Sequence, residues 1–174
     1  DADGDGYGWE IVNYGDEQGL VVRSESWSQG TVLYPDNWLV SSGLDFSSVT
    51  TPYLFWKVKA QDQAWPDENY TVYVGTSSET SVLETSNVTF NEVVGSSTGY
   101  ESRMLDLSSF IGEPSVYIAF RHHNVSDMFV LNIDDIVVSN VEGENTTVTL
   151  TSSETQYATS PSSMTDFHLM LLAS

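Results

Sequence analysis

The sequence predicts an all-β protein, an antiparallel β-sandwich with jelly-roll topology. Three observations carry this expectation. Apolar and polar residues alternate with a period of two in short runs rich in Val, Tyr, Phe, Trp and Thr; clusters of Gly, Ser, Asn and Asp separate the runs; and no run of comparable length has helical periodicity. A parallel α/β sheet needs helical crossovers between its strands, and this pattern supplies none.

The predicted strands follow in order. Residues 53–60 (YLFWKVKA) alternate through Leu54, Trp56 and Val58, and residues 70–75 (YTVYVG) continue the pattern and close on a glycine. Residues 88–94, 102–107 and 116–120 are shorter alternating runs, each bounded by turn residues. Residues 128–138 (MFVLNIDDIVV) form the most apolar run, and 146–151 (TTVTLT) is a β-branched one. Residues 152–164 are Ser/Thr-rich with a proline and read as a linker, and 167–173 is a short apolar tail expected to be an edge strand or a docked terminus. The division expected is therefore a jelly-roll domain over 1–145 and a strand, linker and tail over 146–174.

Composition limits the function classes. At 174 residues the chain fits one domain, and 40% hydrophobic residues with 5 Trp, 9 Tyr and 7 Phe supply a packed core. Twenty-five Asp and Glu against 5 Lys and Arg give a formal charge of -20, which repels nucleic acid and anionic lipid. No stretch approaches the roughly 20 apolar residues of a membrane helix, so no membrane insertion is expected. The opening residues carry neither a basic nor an apolar leader, as in a processed chain. With no cysteine, any metal is held by oxygen or histidine.

The opening Asp1-Ala2-Asp3-Gly4-Asp5-Gly6 sets three carboxylates at alternate positions among glycines. Calcium needs six to eight oxygens; carboxylates alternating through a tight turn converge on one point, and the Tyr7 carbonyl is a further expected ligand. Position twelve of this loop is Val12 rather than a bidentate Glu, so the motif is not an EF-hand. A second candidate is Asp134-Asp135, inside the most apolar run. Adjacent side chains of a strand point to opposite faces, so one acid would face the core, where a cation is one remedy for an unpaired charge and an ordinary wet strand end is the alternative. Asp62, Asp67 and Glu68 surround Trp65 in a third acidic loop, where an exposed indole could stack on a sugar or anchor a protein; Trp65, Asp67 and Glu68 are the candidate ligand-binding residues.

Other chemistries find little support. Arg121-His122-His123 has poor zinc spacing, because adjacent strand side chains diverge; Arg121 is expected to pair with a carboxylate and one imidazole to bond to loop backbone. No positioned serine nucleophile occurs, and a paired-carboxylate glycosidase has no motif behind it. No enzyme is expected. Trp56 and Trp38 read as core.

Several segments together resemble a known family: Asp1 to Trp9, then Pro35-Asp36-Asn37-Trp38-Leu39-Val40, Phe55-Trp56 to Gln61-Asp62, Glu68-Asn69-Tyr70-Thr71-Val72-Tyr73, and Tyr117 to His122 leading into Asn132-Ile133-Asp134-Asp135-Ile136. In order and spacing they are similar to the cleaved adhesin domains, the haemagglutinin/adhesin modules attached to gingipain proteases. The resemblance spans 1–139. It implies a calcium-binding jelly roll of a larger protein exported by Bacteroidetes-type bacteria, secreted or held at the cell surface, which attaches to host proteins, cells or glycans and is not catalytic. By position it also implies calcium ligands at Asp1, Asp3, Asp5 and Asp134, with Asp135 and Asp62 as further ones. Family members usually carry a strand before the acidic loop, so one strand is expected to precede Asp1. A carbohydrate-binding module of a secreted polysaccharide-degrading system is the alternative reading.

Overall fold

The structure, a computed structural model, describes residues 1–15 and 19–140 and the backbone of 166–168 and 171–173. Its elements are β1 (Glu10–Asn13), β2 (Leu20–Glu25), β3 (Trp27–Ser28), β4 (Thr31–Val32), β5 (Asn37–Ser41), β6 (Pro52–Ala60), β7 (Asn69–Gly75), α1 (Thr80–Leu83), β8 (Val88–Val93), β9 (Glu101–Asp106), a 3-10 turn (Ser108–Phe110), β10 (Tyr117–His122), β11 (Val130–Asn140), β12 (Asp166–His168) and β13 (Leu171–Ala173). Six of the predicted runs reappear within two residues as β6, β7, β8, β9, β10 and β11. The seventh, 146–151, lies outside the described residues.

Two antiparallel sheets face each other. One runs β1-β2-β11-β6-β9 with β12 paired to β11, and the other runs β13-β5-β10-β7-β8; β3 and β4 form a separate hairpin. The sheets enclose Leu39, Leu54, Trp56, Val58, Tyr70, Val72, Val74, Ile118, Phe120, Leu131 and Ile133, which alternate along their strands as the pleat requires. Trp56 is fully buried, meets Phe90 and Phe120 edge-on with ring centroids 5.1 and 5.8 Å away, and donates its indole N–H to Tyr70 Oη at 2.9 Å. Each such side chain contributes about 1.5–3 kcal/mol through burial. At one edge Arg103 of β9 reaches Glu92 of β8 through Nε at 3.0 and 2.9 Å, fastening the two sheets together.

The strands that periodicity missed have physical reasons to be missed. β5 (NWLVS) is covered on both faces: Leu39 enters the main core while Trp38 enters a smaller outer cluster with Tyr73, Leu83 and Ala119. β2 (LVVRSE) sends the fully buried Ser24 inward, breaking its apolar rhythm. β3 and β4 have two residues each and turn at Gln29-Gly30, whose φ values of 47° and 89° suit a hairpin turn of the primed type. The apolar tail adds one three-residue strand to each sheet: β12 pairs with β11, and β13 pairs with β5. Among the described residues no helix is long and apolar enough to cross a membrane.

Register places function at one end. His122 at the end of β10 pairs with Asn37, the first residue of β5, and with Tyr70, the second of β7, while Ala60 ends β6 opposite Leu131 and Glu25 ends β2 opposite Val130. The segments carrying Asp1 to Trp9, Tyr34 to Asp36, Asp62 to Glu68 and His123 to Phe129 therefore open at the same end of the sandwich.

Candidate functional site

The acidic loop is tied down at both ends of its motif. Ala2 N donates to Asp36 O at 2.8 Å and Asp36 N donates to Asp3 Oδ2 at 2.6 Å, so the loop lies against the residue preceding β5. Further along, the Asn37 amide nitrogen donates to Tyr7 O at 2.7 Å, and Trp9, buried among the core residues, donates its indole N–H to Asn37 O at 2.9 Å. Within the loop Asp1 accepts Gly4 N at 2.8 Å and Gly6 N at 3.0 Å, Asp3 accepts Asp5 N, and Asp5 accepts Tyr7 N. Gly4 and Gly6 have φ of 74° and 88°, a region that a side chain would strain.

This folding brings Asp1, Asp3 and Asp5 together, with one carboxylate oxygen from each lying within 4.8 Å of the others. All three are exposed, and among the described residues no other group of three metal-ligating side chains converges in this way. The donor set fits a hard cation of calcium type: anionic oxygens on a loop with backbone carbonyls nearby, and no nitrogen or sulfur. Asn37, which anchors the loop, also carries a buried amide oxygen, Oδ1, with no hydrogen-bond partner among the described residues. The Tyr7 carbonyl keeps one lone pair once Asn37 has taken the other.

The remaining expected ligands stand apart from this group. Asp62 Oδ1 accepts Ala64 N at 2.8 Å and shapes its own turn. Asp134 and Asp135 differ from the strand expectation, because β11 is bulged there. Asp134 pairs with Lys57 and Val137 with Phe55, three steps on β11 against two on β6, and Asp135 has φ of 47°. The extra residue resets the alternation, so that Ile133 and Val138 both reach the core and neither acid needs to. Asp135 is instead paired with Lys57 Nζ at 2.6 Å. Asp134 accepts the Asp135 N–H at 2.7 Å, yet its half-burial, reinforced by the Asp135 charge, pushes its carboxyl above the usual carboxylate range.

Glu68 requires a correction. Expected among the ligand-binding residues of the third acidic loop, it is fully buried, because it closes a polar network between the sheets. Ser26 Oγ and Phe129 N donate to its Oε1, both at 2.9 Å, and His122 Nε2 faces its Oε2 at 2.9 Å. His122 Nδ1 lies 2.8 Å from Ser24 Oγ, which accepts the Asn37 amide at 3.0 Å. With a proton on Nε2 every atom here has a partner: Nε2 donates to Glu68 Oε2, and the Ser24 hydroxyl, while accepting the Asn37 amide, donates to Nδ1. His122 thus bonds to side chains rather than to loop backbone. His123 points the other way and meets Thr71 Oγ1 at 2.8 Å, so the two imidazoles diverge as the zinc argument anticipated. Asp67 and Trp65 are exposed, and Trp65 at 56% is available to a partner.

Arg121 pairs with carboxylates, as expected. Its Nε and Nη2 donate to the two Asp36 oxygens at 2.6 and 3.0 Å, a third donor meets Glu84, and the guanidinium lies 4.7 Å from the centre of the Trp38 ring. That pairing holds the Asp36 carboxyl below its usual range. Sequence reasoning did not single out Asp36 or Tyr34 as site residues. Their signal, Tyr34-Pro35-Asp36 ahead of β5, becomes legible only when the acidic loop docks there.

The model of the Cleaved Adhesin Domain matches residues 1–138. The chain belongs to the cleaved adhesin domain family. Hemagglutinin A of Porphyromonas gingivalis is 31% identical over 175 residues, covering 87% of this chain and 8% of that protein. Gingipain R1 of the same species is 33% identical over 156 residues, covering 79% of this chain and 9% of its own length. This cleaved adhesin domain therefore spans under a tenth of either relative. Among solved structures, the K1 cleaved adhesin domain of Lys-gingipain superposes with a TM-score of 0.66 at 31% identity, covering 79% of this chain and 85% of that one. The K3 domain also gives 0.66, at 26% identity, with 79% and 88% covered.

Proposed function

We propose that this cleaved adhesin domain is a non-catalytic, calcium-stabilised module that attaches a larger secreted or cell-surface bacterial protein to host proteins, cells or glycans. The observation that carries the calcium part is the convergence of the Asp1, Asp3 and Asp5 carboxylates on a loop fastened to Asp36 and Asn37. Three anionic oxygens held this close repel one another, and a divalent cation removes that cost while fixing the loop end. The adhesive part is supported by the relatives, whose matching segments are adhesin domains of far longer proteins, and by the exposed Tyr34 and Trp65 at the sandwich end. The test is capture of erythrocytes by the immobilised domain, in calcium and in excess EGTA. Capture in calcium that falls several-fold in EGTA is expected; no capture in either buffer contradicts the reading.

A further inference from the structure

Beside the acidic loop lies a cleft of about 400 Å³, lined by Tyr34, Asp36, Arg121, His123, Asn124 and Ser126. Its chemistry differs from that of the loop. Although the chain carries a net charge of -20, this cleft holds a bidentate Asp36–Arg121 pair, so it selects neither cations nor anions by charge alone. It is also pre-organised. The Arg121 guanidinium stacks over Trp38, which stacks in turn on Tyr73 with centroids 5.2 Å apart and planes at 25°. His123 is fixed by Thr71, whose hydroxyl oxygen accepts Asn91 Nδ2 at 2.7 Å. Asn124 sits at φ of 54°, a conformation asparagine tolerates better than most residues, and so the loop turns there. One wall is Tyr34, 72% exposed, the largest exposure among the big hydrophobic side chains of the described residues.

An exposed aromatic ring beside fixed donors and acceptors of both signs suits a particular class of ligand. Each hydroxyl of a neutral sugar both donates and accepts, so it can bond to Asp36, Arg121 or Asn124, while the C–H face of the pyranose packs on a tyrosine ring. We propose that this cleft binds a neutral sugar residue, with Tyr34 as the stacking face and Asp36, Arg121 and Asn124 as hydroxyl partners. The proposal deepens the binding-module reading and rests on it, but makes no use of the metal.

Saturation-transfer NMR with the methyl glycosides of galactose, glucose, mannose and N-acetylglucosamine tests it. Transfer to the ring protons of at least one sugar is expected. It should be lost in Tyr34→Ala, retained in Tyr34→Phe and reduced several-fold in Asn124→Ala. Because Tyr34 is largely exposed, Tyr34→Ala should keep the wild-type melting temperature, which separates lost binding from lost folding. No transfer from any of the four sugars, or equal transfer in wild type and Tyr34→Ala, overturns the assignment. So does displacement of the cleft resonances by triarginine and by none of the sugars, which would give the cleft to basic peptide side chains. Erythrocyte capture without sugar transfer sinks the sugar site and leaves the binding module standing; transfer without capture leaves the sugar site standing and sinks attachment to cells.

Discussion

Substituting Glu68 by Leu should destabilise the domain severely, although residue 68 lies in a loop-end acidic cluster. The carboxylate takes three donors: Ser26 Oγ, Phe129 N and His122 Nε2. Without it Phe129 N still reaches Ser26 Oγ at 3.1 Å, so two donors, the Ser26 hydroxyl and the His122 N–H, lose their partner. At about 1–3 kcal/mol for each unsatisfied buried group, the loss is about 2–6 kcal/mol, consistent with the roughly 3–5 kcal/mol typical of removing one member of a buried pair. Against a native stability of about 5–15 kcal/mol this is a large share. It corresponds to a melting temperature lower by about 4–24 °C for a domain of this size. Urea and thermal unfolding followed by tryptophan fluorescence measure it. The double variant Glu68→Leu/His122→Phe should recover part of the loss, since it removes the stranded imidazole as well. A single variant within about 1 kcal/mol of wild type would refute the assignment of this network as a fastening between the sheets.

Asp134→Asn, measured without calcium, should stabilise the domain at neutral pH. The folded carboxyl titrates above its ordinary 3.8, so the native state binds more protons in the window above that value and stability falls as pH rises through it; the gain of the Asn variant should vanish in acid. If calcium sits on Asp134, added calcium should reverse the ranking at neutral pH, so thermal unfolding in the two buffers decides. Asp36 has the opposite sign. Its carboxyl is held low by Arg121, so the stability it contributes is present above 3.8 and is lost as pH falls through the lower folded value. Asp36→Asn should therefore be less stable than wild type at neutral pH, with the gap closing in strong acid, as chemical unfolding across pH would record.

Legibility followed chemistry. The long alternating strands were readable because one face of each meets the core, and β6 carries Leu54, Trp56 and Val58 inward without exception. The convergence of the acidic loop was readable because its three carboxylates alternate over five residues and glycine permits its turns. What failed was what tertiary contacts decide. Glu68 stands in a stretch that reads as solvated, and only residues far along the chain, Ser26, His122 and Phe129, explain its burial. The Asp134-Asp135 pair was read on ideal alternation, which a single bulge residue overrides; no feature of the Ile-Asp-Asp-Ile string announces the bulge. The sugar cleft draws Tyr34 and Asp36 from before β5 and Arg121, His123 and Asn124 from the end of β10, segments that meet only through antiparallel pairing of those strands.

The central claim is that calcium on the Asp1-Asp3-Asp5 loop stabilises this module. Calcium titration of the chelator-stripped domain, read as melting temperature and run in parallel on Asp3→Ala, tests it most directly. At a free calcium concentration a hundredfold above the dissociation constant, linkage stabilises by about 2.7 kcal/mol, a rise of about 5–11 °C, and Asp3→Ala should lose most of it. A melting temperature indifferent to calcium, the same in wild type and variant, would contradict the account and return the three carboxylates to the solvated surface.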